Sequence, residues 1–295
     1  MQHPDILALG EPLVEMIRLP PQPDGTVHYK QGIGGDTLTA MVHAARTGAR
    51  VGYLSAVGDD SLGDEICAFC KSEGIDTTYL LRRSNDPTGL NVIDPDPVER
   101  RFCYARRGSA ASLYSASDLP EEAIALAKVL HVSAVSQAIS HSMRAAVKAA
   151  AELARANGTL VSYDLNLRLK LWSIEEARDC IHDFLPFADI VLPSDDEAAL
   201  VVGQSAPSAL LDHFESFGPA YVVLKRGAQG AIVSSAKGRH DIGATPVKAV
   251  DSTGAGDTFA GVFLAKLLET GDPNVAAYEA VAAAGRTVSH YGALA

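Results

Sequence analysis

Cysteine is scarce in this chain: there are four residues, at positions 67, 70, 103 and 180. So few thiols exclude a disulfide-built scaffold. Cys67 and Cys70 have CxxC spacing, but no second ligand pair accompanies them, and residues 62–73 read as a helix. They are expected to be small packing residues rather than a redox or zinc site. Long apolar runs are also missing. No stretch approaches the roughly 20 residues needed to cross a bilayer. The opening Met1-Gln2-His3-Pro4-Asp5 lacks a signal peptide's charged start and cleavage site. The expectation is a cytoplasmic protein with no membrane partner. Basic residues are outnumbered, 25 Lys and Arg against 36 Asp and Glu, for a net charge of -11. That balance excludes a non-specific nucleic-acid binder. Phosphate ligands stay open, because backbone N–H groups and a few local cations can hold them.

What remains is an ordinary globular composition, 47% hydrophobic and 21% charged. Short apolar runs alternate with helical patterns. Residues 6–10, 51–54, 129–132, 160–164, 190–192 and 221–224 read as buried strands. Residues 38–47, 60–73 and 141–157, and a segment starting at Ser173, read as helices. This βαβ rhythm predicts one α/β domain spanning 1–295, three layers in α/β/α order around a mostly parallel sheet. Ligands of such sheets sit beyond the carboxyl ends of the strands. Residues 11–31 and 88–107 break the rhythm. Asn91-Val92-Ile93 and Arg101-Phe102-Cys103-Tyr104 flank the turn-rich Asp94-Pro95-Asp96-Pro97 and resemble a hairpin. Both segments are expected to form a small β-sheet that leaves the core near its ligand edge and acts as a lid.

The most informative stretch is Asp251-Ser252-Thr253-Gly254-Ala255-Gly256-Asp257, which runs straight into an apolar helical pattern. Glycines 254 and 256 allow positive φ and close backbone approach. The N–H groups of the first helical turn would then form an anion hole. A carboxylate inside such a hole opposes phosphate binding but suits a base that deprotonates a hydroxyl attacking phosphorus. The competing reading is a tight strand-to-helix turn in which Asp257 only complements the helix dipole. Gln31-Gly32-Ile33-Gly34-Gly35-Asp36-Thr37 again sets glycines before a helix. Thr37 breaks the GxGxxG pattern, so a dinucleotide site is not supported.

With both glycine motifs in order, the chain resembles the ribokinase-like (PfkB) family of sugar kinases over nearly its whole length. The resemblance rests on Gly34-Gly35, the placement of the lid, Lys225-Arg226-Gly227-Ala228-Gln229-Gly230, and residues 254–257. It implies a ribokinase-like fold, with ATP and Mg²⁺ as cosubstrate and metal and room for a monovalent cation such as K⁺. Asp257 would be the base, with the N–H groups around Gly254, Ala255 and Gly256 holding the phosphoryl group. Ser194, Lys225, Gly227 and Gly230 would line the nucleotide side. Glu197 would support Mg²⁺ through waters, although Ser194 stands where the family has asparagine. The alternative for residues 195–197 is an acidic first turn of a helix. A homodimer through the lid is also implied.

The acceptor side looks most like kinases of 2-keto-3-deoxygluconate, a small sugar acid. Gly35-Asp36-Thr37-Leu38, Tyr104-Ala105-Arg106, Gly108-Ser109-Ala110-Ala111-Ser112 and Asp164-Leu165-Asn166-Leu167-Arg168 together carry that likeness. Gly34, Gly35, Asn91, Tyr104, Arg106 and Arg168 would bind the acceptor. A guanidinium fork can grip a carboxylate bidentately, whereas a neutral sugar gains less from two of them. Arg106 could instead belong to a solvated basic face with Arg100, Arg101 and Arg107, and Arg168 could pair with Asp164 or another core carboxylate. Thr39 and Asn91 depart from residues usual in the family. A fructokinase, a nucleoside kinase and a catalytically silent sugar-sensing protein remain the alternatives.

Overall fold

The computed structural model describes residues 3–94 and 101–294. Its centre is a nine-stranded sheet built from β1 (Ile6–Leu9), β4 (Val51–Gly58), β5 (Leu80–Arg83), β8 (Val129–Ser133), β9 (Leu160–Asp164), β10 (Ile190–Leu192), β11 (Tyr221–Lys225), β12 (Ala231–Ser235) and β13 (Gly238–Ile242). The strand order is β13-β12-β11-β10-β9-β8-β1-β4-β5. All neighbours run parallel except β11/β12 and β12/β13, which form an antiparallel edge.

Four helices bury one face: α1 (Asp36–Arg46), α2 (Ser61–Ser72), α9 (Ala255–Thr270) and α10 (Pro273–Thr287). On the other lie α3 (Glu121–Leu126), α4 (Ala134–Ala138), α5 (His141–Ala156), α6 (Ile174–Phe184), α7 (Asp195–Val202) and α8 (Pro207–Glu215). In β1, Ile6 and Ala8 join the first core while Leu7 and Leu9 join the second. A strand buried on both faces reads as a continuous apolar run, as these do. Side-chain caps fix several helix starts: Asp60 accepts from Gly63 N, Ser140 from Met143 N and Ser173 from Glu176 N.

A separate four-stranded sheet has the order β3-β2-β6-β7, from β2 (Leu13–Arg18), β3 (Tyr29–Gly34), β6 (Leu90–Asp94) and β7 (Arg101–Ala105). Its strands come from the two segments expected to leave the core, and β6 and β7 pair antiparallel with Asn91 opposite Tyr104. Pro95, Asp96, Pro97 and Arg100 of the expected turn and basic cluster lie outside the described residues. Cys67 and Cys70 sit on α2 with Cys70 buried, and burial pushes the Cys70 thiol up to about 12. Among the described residues no group of three His, Cys, Asp or Glu could hold a metal. No helix of these residues is long and apolar enough to cross a membrane.

Candidate active site

The carboxyl ends of the central strands, the small sheet and the start of α9 enclose a cavity of about 2270 Å³. Its walls include all fifteen sequence-predicted site residues: Gly34, Gly35, Asn91, Tyr104, Arg106, Arg168, Ser194, Glu197, Lys225, Gly227, Gly230, Gly254, Ala255, Gly256 and Asp257.

The start of α9 shows how the glycine-rich stretch works. Gly254 is the helix N-cap at φ 74, a left-handed conformation that glycine adopts without steric cost. Gly256 is not at positive φ, contrary to the expectation, because it already lies inside the first turn. A Cβ there would lie 3.5 Å from Lys225 Nζ, an ordinary contact that does not itself demand glycine. The first intrahelical bond runs from Thr258 N to Gly254 O at 2.8 Å. The N–H groups of Gly256 and Asp257 therefore stand ahead of the ladder, where the dipole favours an anion. The Ala255 N–H instead turns back to Ser252 O at 3.3 Å.

Asp257 shares its surroundings with two carboxylates that the sequence did not single out, Asp36 at the start of α1 and Asp164 at the end of β9. Asn166 joins them, donating from Nδ2 to Asp257 Oδ1 at 3.0 Å and to Asp36 Oδ2 at 3.5 Å. Asn166 adopts φ 30, alone among the described non-glycine residues in positive φ, a region that asparagine tolerates better than most. Ser133 Oγ donates to Asp36 Oδ2. Lys225 Nζ lies 2.8 Å from both oxygens of Asp164, in a nearly buried pair. Burial and the charges of Asp36 and Asp164 hold Asp257 well above the usual carboxylate range, against the pull of Arg168 and Lys225. Burial likewise raises Asp36, with Ser133, the Thr37 N–H and Arg168 opposing. Asp257 thus holds a proton more tightly than a free aspartate does.

The small sheet supplies the opposite wall. Arg106 follows β7, stacks its guanidinium 5.3 Å from the Tyr104 ring centre, and places Nε 2.7 Å from Glu11 Oε2. Arg106 Nη2 and Asn91 Oδ1 are buried and make no hydrogen bond. Arg168 is half exposed and points Nη1 at Glu197 Oε1, 3.3 Å away. Glu197 Oε1 also accepts from Leu167 N at 3.0 Å, and burial raises its pKa while Lys225 lowers it. The basic-face alternative for Arg106 does not hold, since only 10% of its side chain is exposed. The core-carboxylate alternative for Arg168 does hold in part, with Glu197 as the partner.

Gly34 and Gly35 answer to the protein's own packing. A Cβ at Gly34 would lie 2.6 Å from the Glu15 carboxylate, and one at Gly35 would fall on the Glu11 carbonyl. Gly35 also takes φ 124. These glycines seat Glu11 and Glu15 against the cavity. Neither glutamate carried a recognisable pattern in sequence. Asp36 and Asp164 did, since each lies within a motif, beside Gly34-Gly35 in one and at the head of the Asp-x-Asn-x-Arg run in the other.

An anion hole at a helix start, a half-buried aspartate beside it and a β-sheet wall over the strand ends define a phosphotransferase acting on an alcohol. The chain belongs to the pfkB family of carbohydrate kinases, whose sequence profile matches residues 4–295. It is 32% identical to a 2-dehydro-3-deoxygluconokinase of Thermoproteus tenax, over 97% of this chain and 89% of that protein. A 2-dehydro-3-deoxygluconokinase of Escherichia coli K12 is 33% identical over 98% of this chain and 96% of its own length. A Klebsiella pneumoniae fructokinase is 32% identical over 91% and 86% respectively. Among solved structures, a PfkB protein from Polaromonas sp. JS666 superposes with a TM-score of 0.90 at 30% identity, covering 97% of this chain and 96% of that one. A putative ribokinase II of E. coli in complex with ATP and Mg²⁺ gives a TM-score of 0.89 at 29% identity, covering 99% and 94%.

Proposed function

We propose that this enzyme transfers the γ-phosphoryl group of ATP to the primary hydroxyl of 2-keto-3-deoxygluconate, giving the 6-phosphate. One observation carries the acceptor assignment: Arg106 and Arg168 face the same cavity whose floor is Asp257. Two guanidiniums suit a small sugar acid better than a neutral sugar. The names of the T. tenax and E. coli relatives agree with that choice.

The chemistry follows from the residues. Asp257 takes the proton of the acceptor hydroxyl as its oxygen bonds to the γ-phosphorus and the bond to the ADP oxygen breaks. The Gly256 and Asp257 N–H groups and Lys225 stabilise charge on the equatorial oxygens. Asn166 keeps the Asp257 carboxylate oriented through its 3.0 Å bond. Asn91 Oδ1, without a hydrogen-bond donor of its own, is available to an acceptor hydroxyl. Gly227 and Gly230 flank the turn at the nucleotide end of the cavity, near Ser194.

The donor set suits Mg²⁺ bound chiefly by phosphates and water, an ion that needs one or two protein carboxylates rather than a cage. Glu197, lining the cavity with its carboxylate largely buried, would hold it. When bound, the ion neutralises phosphate charge. A monovalent cation remains an expectation of the family likeness, and no step here draws on it.

Closing the small sheet over the site would exclude water, which otherwise competes as acceptor. Its edge strands β3 and β7 suit pairing with a second copy, giving a homodimer through the lid. The need for ATP fits a cytoplasmic setting.

A second reading is fructokinase. It is favoured by the carboxylate partners that Arg106 and Arg168 already have, Glu11 and Glu197. An ADP-release assay with Mg-ATP and a panel of 2-keto-3-deoxygluconate, fructose, ribose and adenosine separates the two. Turnover of the keto-acid alone, abolished in Asp257→Asn, supports the proposal. Preference for fructose keeps the kinase chemistry and overturns the acceptor. Silence with every acceptor favours the sugar-sensing alternative.

A further inference from the structure

Arg106 is held by a carboxylate of the protein itself. Glu11, in the connection between β1 and β2, is 3% exposed and Arg106 is 9% exposed. Their contact, Nε to Oε2 at 2.7 Å, is ionic but off the hydrogen-bonding line, so Glu11 Oε2 and Arg106 Nη2 both lack a hydrogen bond. Ser109 Oγ steadies the other oxygen, donating to Oε1 at 3.1 Å. Room for the carboxylate exists because residue 89 is glycine; a Cβ there would lie 3.0 Å from Glu11 Oε1. The same guanidinium faces the acceptor cavity. An acidic acceptor bound at Arg106 would therefore set a second anion against a buried one, and like charges that close cannot both stay ionised cheaply.

We propose that Glu11 is a specificity-determining positioning residue, which holds Arg106 for the acceptor's carboxylate and takes up a proton when an acidic acceptor binds. This rests on the keto-acid reading above. A neutral ketose makes no such demand on Glu11, so the residue distinguishes the two classes through pH.

The groups facing Glu11 are Arg106, Ser109 and Asp36, and its charge is felt by Tyr53 and Tyr104. Burial pushes Glu11 up to about 7, with Arg106 and Ser109 pulling down and Asp36 pushing up. Above that pH Glu11 is ionised in the free enzyme and occupies the charge of Arg106. Below it the carboxyl is neutral and the full charge is available to the acceptor. Affinity for the acid therefore falls as pH rises through 7, by at most about tenfold per pH unit.

The test is steady-state kinetics at saturating Mg-ATP from about pH 6 to about pH 8.5, on 2-keto-3-deoxygluconate and on fructose, with wild type and Glu11→Gln. In wild type the KM for the acid should rise several-fold across the range, while any KM for fructose stays flat. In Glu11→Gln the acid KM should lose its slope, with the kcat profile still set by Asp257. Calorimetry of acid binding in two buffers of different ionisation enthalpy gives a readout independent of the variant. Wild type should take up a fraction of a proton near neutral pH. Acid turnover with a flat wild-type KM, a slope retained in Glu11→Gln, or binding without proton uptake would each overturn the role of Glu11. Absence of acid turnover beside good fructose turnover would instead overturn the keto-acid reading, and the inference with it.

Discussion

Gly261 of α9 lies directly against the backbone of Ala40 in α1, so closely that a Cβ at 261 would fall on the Ala40 carbonyl. Each of these residues sits four positions after a cavity carboxylate, Asp257 on α9 and Asp36 on α1. Residues four apart share a helix face. This close approach of the two helices is thus one turn below the two carboxylates that Asn166 bridges. The spacing of Asp36 and Asp257 is set by a glycine that touches neither.

Replacing that glycine makes the point measurable. Alanine in a helix interior gains about 1 kcal/mol over glycine in propensity. Forcing a methyl group into the close contact costs about 1–3 kcal/mol, and the obstacle is a backbone carbonyl that cannot rotate away. Gly261→Ala should therefore be destabilised in a denaturant titration. Its kcat should also fall by more than the lost stability accounts for, since a shift of about 1 Å in a reacting group can cost about a hundredfold. A variant as stable and active as wild type would show that the helix contact does not set the site.

The Asp36–Asp257 pair leads to a pH prediction. Burial, and then the negative charge of Asp36, raise the pKa of Asp257. In the proposed chemistry Asp257 takes a proton only once it is itself deprotonated, so kcat should rise with pH as Asp257 ionises. Asp36→Asn keeps the shape and a partner for Ser133 but removes the charge. Asp257 then ionises at lower pH, and the acid limb of the kcat profile should move in that direction. A pH–rate profile of the variant with the acid limb in its wild-type position would separate Asp36 from the base.

How much of this was legible in the chain follows from what kind of signal each part leaves. β9 and β10 have the bounds their apolar runs suggested, because strands buried on both faces are marked by their own residues. The small sheet was visible for the converse reason: residues 11–31 and 88–107 lacked any helical period. β5, β12 and β13 were not anticipated. β5 and β13 are the two edge strands, and Gly238-Arg239-His240-Asp241 shows no apolar pattern because most of β13 faces solvent, whereas β12 lies between β11 and β13 and is largely buried. In the site, motif residues such as Gly254 and Asp257 were legible because local backbone demands write them into consecutive positions. The partnerships of Glu11 and Asp36 were not. Their roles depend on partners 95 and 221 positions away, Arg106 and Asp257, and only the folded chain brings those together.

A last prediction concerns stability and not catalysis. His131 sits in β8 at 2% exposure, its Nδ1 3.1 Å from Ser162 Oγ on the neighbouring strand β9. Burial lowers its pKa from 6.5 to about 4, with Asp164 opposing and Lys225 assisting. The folded state holds the ring neutral while the unfolded chain accepts a proton below 6.5. The contribution is therefore complete above pH 6.5 and is lost as pH falls from there to about 4. Over that interval it amounts to at most about 3 kcal/mol. The acids Glu11, Asp36 and Asp257 work in the other direction, since their raised affinities favour the folded state as protons are added. Wild type alone would mix the two effects, so the informative quantity is a difference. His131→Gln keeps a polar partner for Ser162 and cannot titrate. Thermal unfolding of both proteins should show the wild-type midpoint falling more steeply than the variant's between pH 6.5 and 4. Parallel curves would mean that His131 is protonated in the fold or that water reaches it, and the account of a neutral buried ring would fail.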